Sequence, residues 1–134
     1  MKGKRDYGDY LRDILEHAEA AEGFLAAVPD VDSLAADRRT FWALIRALEV
    51  IGEAARHLPP EFRALYPEVP WRGMTGMRDK VIHDYFGVDA TVVWRTVKED
   101  LPAVVDSIRG ILHKLEKPSS PDETRPPPSG VPPL

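Results

Sequence analysis

Apolar residues recur along this chain at intervals of three and four, in three long stretches. From about Tyr7 to Ala27 the stripe is Tyr7, Leu11, Ile14, Ala18, Ala21 and Leu25, widened by Leu15 and Phe24, with charged residues between. That is the period of an amphipathic helix, and Asp6 stands where an N-cap carboxylate accepts from free backbone N–H groups. A second run, roughly Asp37 to His57, repeats the pattern with Phe41, Leu44, Ile45, Leu48, Ile51 and Ala55. The third, from Ala90 to about Glu116 with Asp89 as its cap, carries Val93, Val97, Leu101, Val104, Val105, Ile108, Ile111, Leu112 and Leu115. Pro102 lies inside it and predicts a kink, or a restart capped by Asp100.

Between these runs the chain is punctuated by proline. Pro29 ends the first, and Asp30-Val31-Asp32-Ser33 is turn chemistry in which Asp32 or Ser33 can cap a short helical turn. Pro59-Pro60 breaks the second, and Pro60 can open a short helix over Glu61 to Tyr66. Pro70-Trp71 opens another, along which Met74, Met77 and Val81 repeat at helical intervals as core rather than as a cofactor site. Gly87 is its stop signal. Gly52, a poor helix former in mid-helix, predicts a close approach by another helix. Glu53 beside it then either enters a shared cleft or stays solvated on the surface. No strand-like alternation and no internal repeat appears. The pattern predicts an all-α antiparallel helical bundle of three long helices and several short ones over residues 1–117. So much aliphatic helix surface in so short a chain points to homodimerisation.

Composition narrows the function. The 134 residues are 43% hydrophobic and 30% charged, ordinary for one soluble domain, and cysteine is absent, which excludes disulfides and thiolate metal sites. No apolar run of signal or membrane length follows Met1, so a soluble cytoplasmic protein is expected. The tail changes character: seven of the 13 prolines fall in 118–134, predicting a disordered or extended segment. With a formal charge of −4, any handling of nucleic acid requires a local basic footprint. The candidates are Arg38-Arg39, Arg46, Arg56, Arg63, Arg72, Arg78 and Lys80, although such charges are most often a solvated face.

The densest chemistry is Arg78-Asp79-Lys80-Val81-Ile82-His83-Asp84-Tyr85. A permanent cation, a group that titrates near neutrality and a phenol are tools of phosphate chemistry. They are also the makings of a structural hydrogen-bond cluster near a helix end. On an ideal helix, Arg78 and His83 sit about 140° apart. A long arginine can reach round, the helix can loosen near Gly87, or a second copy of the chain can complete the site. In the last case two imidazoles would act as acid and base on an RNA 2′-hydroxyl and the departing 5′-oxygen, with Arg78 stabilising the phosphoryl charge and no metal required. His17, His57 and His113 show no metal-ligand spacing, and Gly73-Met74-Thr75-Gly76 is not a phosphate-cradling loop.

The run Arg78 to Tyr85 fits Arg-x4-His-x-Tyr. With Ile51-Gly52-Glu53-Ala54-Ala55, Pro70-Trp71-Arg72, Tyr85-Phe86-Gly87-Val88-Asp89, Val93-Trp94 and Asp100-Leu101-Pro102 in order, it resembles the HepT-like toxins of the HEPN superfamily (formerly DUF86) from about Tyr7 to Leu115. The resemblance implies a homodimeric ribonuclease, the toxin of a type VII toxin–antitoxin pair, with tRNA among the family's targets. It implies catalysis by Arg78 and His83, with Asp79 as the polar residue usual after the arginine. It also implies a minimal nucleotidyltransferase partner that uses ATP to add AMP to Tyr85. No cofactor of the chain's own is implied. Glu53, Arg72 and Lys80 are candidate supporting residues. The alternative is a non-catalytic helical binding subunit of a nucleotidyltransferase complex.

Overall fold

The computed structural model describes residues 6–83 and 89–116, with side chains over 6–77 and 89–115. Among the described residues the fold is all helix, with no strand. The first helix, α1 (Tyr7–Ala26), begins as the sequence predicts. The Asp6 carboxylate accepts from the Asp9 N–H at 2.9 Å, and the Asp9 carboxylate accepts from the Asp6 N–H at 3.2 Å. Leu11, Ile14, Ala18, Ala21 and Leu25 are buried, while Tyr7 is 45% exposed and leans on Phe62 with ring centroids 4.6 Å apart.

A short α2 (Val31–Ala36) follows. Its cap is Asp30, whose carboxylate accepts from the Ser33 N–H at 2.8 Å, and not Asp32 or Ser33. Helical geometry already starts at Val31, so those two lie within the first turn. The central helix α3 (Arg38–His57) is capped by Asp37, which accepts from both the N–H and the hydroxyl of Thr40. Its buried arc is wider than the sequence stripe, taking in Ala47, Gly52 and Ala54, because α3 packs against α1 on one side and α5 on another. Tyr10 of α1 stacks on His57 with centroids 5.0 Å apart, so the start of α1 meets the end of α3 and the two run antiparallel.

After α4 (Pro60–Ala64), the α5 helix (Trp71–His83) opens with its first side chain locked: the Trp71 indole N–H donates to the Tyr66 carbonyl at 3.0 Å. Met74 is fully buried and Met77 partly so, which makes the methionine stripe core over its described length. The predicted stop at Gly87 lies outside the described residues, as does the tail 118–134.

The last run is α6 (Ala90–Arg95), a wide π turn (Thr96–Asp100) and α7 (Leu101–Glu116). Asp89 caps it, accepting from the Thr91 N–H at 2.8 Å. Pro102 does disturb the helix, but not through a restart at Asp100, which sits exposed inside the wide turn. The Leu101 N–H reaches back five residues to the Thr96 carbonyl. This loosens the backbone where the Pro102 ring would otherwise press on the Lys98 carbonyl. It also serves packing. Val93, Val97 and Leu101 are four apart and would drift by about 40° per step on a regular α-helix, yet all three are at most 1% exposed.

Helices α1 and α7 pack along one another and are joined at the surface by Glu19 and Arg109. Next to that pair, Glu22 has its carboxyl raised above the ordinary 4.5, first by burial, then by repulsion from Glu19 and Asp106, with Arg109 opposing. A raised folded-state value means that ionised Glu22 opposes folding, and that its protonated form favours it. Glu22→Gln is therefore expected to raise the melting temperature at pH 7. In melts at successively lower pH the gain should shrink as pH falls through the folded-state value and be gone below about 4.5.

Candidate active site

The Arg-x4-His stretch lies on the C-terminal half of α5, and the backbone is α-helical through His83. Arg78 and His83 are thus held about 140° apart around the axis and about 7.5 Å along it. Of the three routes that spacing leaves open, loosening of the helix near Gly87 lies outside the described residues. A long arginine reaching round and completion by a second copy remain.

Position 78 follows Trp71 by two turns, within about 20° of it around the helix, and Trp71 and Met74 define the buried side. Position 83 follows Arg72 by three turns, again within about 20°, and Arg72 is exposed. The two motif positions therefore take different registers, about 140° apart around α5. Asp79 and Lys80 follow Arg72 and Gly73 by two turns each. Tyr85 lies outside the described residues.

Glu53 is half exposed on α3 and pairs with His57 one turn on, at 3.7 Å. Two other cations of the predicted basic footprint are engaged elsewhere. Arg38 lies over the Phe41 and Trp42 rings at 4.8 and 5.6 Å, and Arg46 pairs with Glu49 at 3.5 Å. Arg72 and Arg63 are different: they line one groove of about 400 Å3 at the start of α5, with Pro60 and Thr75. Their closeness is not visible in the spacing of the two residues. A larger groove of about 470 Å3 runs along another side of α5, where Gly73, Gly76 and Met77 face Thr96, Glu99 and Asp100 of the wide turn. Among the described residues no cluster of His, Asp and Glu could hold a metal ion, and no helix is long and apolar enough to cross a membrane.

The described residues form an all-helical fold in which Arg78 and His83 fall on one continuous helix. Residues 14–111 match the family model described as "Ribonuclease HepT-like". The chain is 51% identical over 114 residues to "Probable ribonuclease HepT" of Thermococcus cleftensis, covering 85% of this chain and 99% of that one. Two Methanocaldococcus jannaschii proteins, each with a provisional RNase name, are 43% and 40% identical, over 92% and 93% of their own length and 75% and 84% of this chain. No solved structure matches significantly. The chain belongs to the HepT-like ribonuclease family.

Proposed function

We propose that this protein is a metal-independent endoribonuclease, the cytoplasmic toxin of a type VII toxin–antitoxin pair, acting on RNA and most naturally on tRNA. The observation that carries the reading is an Arg-x4-His-x-Tyr motif, its Arg and His on α5, in a chain 51% identical to a protein named as a HepT ribonuclease. The 2′-oxygen attacks the adjacent phosphorus, forming a 2′,3′-cyclic phosphate and breaking the bond to the 5′-oxygen. One His83 imidazole takes the 2′-hydroxyl proton, and a protonated second one gives its proton to the departing oxygen. Arg78 stabilises the charge that builds on the non-bridging oxygens. The different registers of positions 78 and 83 favour assembly of the full set across a homodimer, where two copies supply two of each group.

Tyr85, two residues beyond His83, is the point of control in this reading. A minimal nucleotidyltransferase partner transfers AMP from ATP to its hydroxyl, with pyrophosphate leaving. The added anion and base compete with substrate for Arg78. Intact mass after co-expression with the partner should rise by whole AMP units, and Tyr85→Phe should prevent the rise.

The ribonuclease assignment is tested by incubating the unmodified protein with tRNA in EDTA. Cleavage should persist, leave cyclic phosphate ends and spare DNA of the same sequence, which lacks the nucleophile. Loss of cleavage on chelation would overturn the mechanism.

A further inference from the structure

The smaller of the two grooves beside α5 has the chemistry of an anion seat. Arg63 enters it from α4 and Arg72 from the first turn of α5, and among the described residues no carboxylate lines it. Both arginine side chains line the open groove, and a phosphate oxygen is the acceptor that arginine's planar fork matches best. The positive end of the α5 dipole adds to the same field. The Trp71 and Thr75 side chains, by contrast, spend their protons on backbone carbonyls, at 3.0 and 3.1 Å.

We propose that this groove binds a backbone phosphate of the RNA substrate, a few nucleotides from the bond that is cut, with Arg63 and Arg72 as positioning residues. The inference rests on the ribonuclease reading for its substrate, but its geometry is independent of it. Positions 72 and 83 share one stripe of α5 and are about 16 Å apart along its axis. A strand laid along that stripe passes from the motif to the groove. The larger groove presents Glu99 and Asp100, which repel a phosphodiester, so the strand is steered to the arginine side.

The test uses the full chain with Arg72→Gln, Arg63→Gln and both together, measured by anisotropy on a twenty-nucleotide RNA over a range of salt, and by kinetics on that RNA and a four-nucleotide one. Each lost phosphate contact should flatten the slope of log affinity against log salt by about one. KM on the long RNA should rise several-fold with kcat little changed, and the four-nucleotide RNA should be indifferent. Unchanged slope and KM in the double variant overturn the proposal. Because Arg63 is partly buried, its variant can lose stability; Arg72→Gln, at an exposed position, carries the test alone if it does. Wild type that binds RNA through these arginines without cutting it upholds the groove and removes the nuclease reading. Wild type that neither binds nor cuts removes both. Inorganic phosphate that stabilises wild type against heat, but not the double variant, with RNA affinity equal in the two, marks a free-ion site and overturns the RNA assignment.

Discussion

His83→Ala is expected to lower the rate of RNA cleavage by about 10²–10⁴-fold, the usual worth of a positioned general acid or base. Arg78→Ala should fall in a similar range, because a lost charge-assisted contact to a developing oxyanion costs about as much as a lost oxyanion-hole donor. Neither change should move the melting temperature by the amount that unfolding would require. The measurement is single-turnover cleavage of tRNA in EDTA, with circular dichroism melts alongside. Mixing wild type with excess His83→Ala adds a second readout. If the site needs the imidazoles of both copies, mixed dimers hold only one and cleave no faster than the variant alone. If each copy cuts by itself, mixed dimers keep about half of the wild-type activity. Equal cleavage by wild type and His83→Ala would leave the non-catalytic binding subunit as the better account.

The second large effect is on the fold. Ile51→Ala should destabilise the chain by about 2–5 kcal/mol, against a total of about 5–15 kcal/mol for a domain of ordinary stability. Ile51 is 0% exposed near the middle of α3, the helix that packs on α1, α2 and α5 together. A cavity there has no single neighbour free to collapse into it, since each is tied to the others through α3. Urea unfolding should show the midpoint fall with little change in slope. A loss comparable to that of an exposed substitution, within about 0.5 kcal/mol, would contradict the central placement of α3.

The long helices were legible because each writes its own boundaries: apolar residues at three and four, and an aspartate immediately before. Asp6 and Asp89 act as the pattern predicts, and Asp37, read as the first residue of the second run, is its cap. The stretch after Pro29 was ambiguous for a local reason, since Asp30, Asp32 and Ser33 are all competent caps and only the backbone path selects one. Pro102 announced a disturbance without its form. Whether a helix kinks, restarts or widens depends on which register keeps Val97 and Leu101 in the core, and that is decided by the helices opposite. For the candidate site, the motif located the helix, and helical arithmetic placed Arg78 and His83 on different sides of it. The pairing of Arg63 with Arg72 was hidden, because the chain turns twice between them and no periodicity spans a turn.

The aspartates that open α1, α2, α3 and α6 have a consequence for how an acidic protein meets a polyanion. Each is held against backbone N–H groups at the positive end of a helix, and the carboxyls of Asp30 and Asp37 sit below their ordinary 3.8 through the hydrogen bonds from Ser33 and Thr40. A lowered carboxyl holds its charge to lower pH than an ordinary aspartate, so these caps keep the chain's acidic balance firm under mild acid, and an approaching strand must find its footing on local cations.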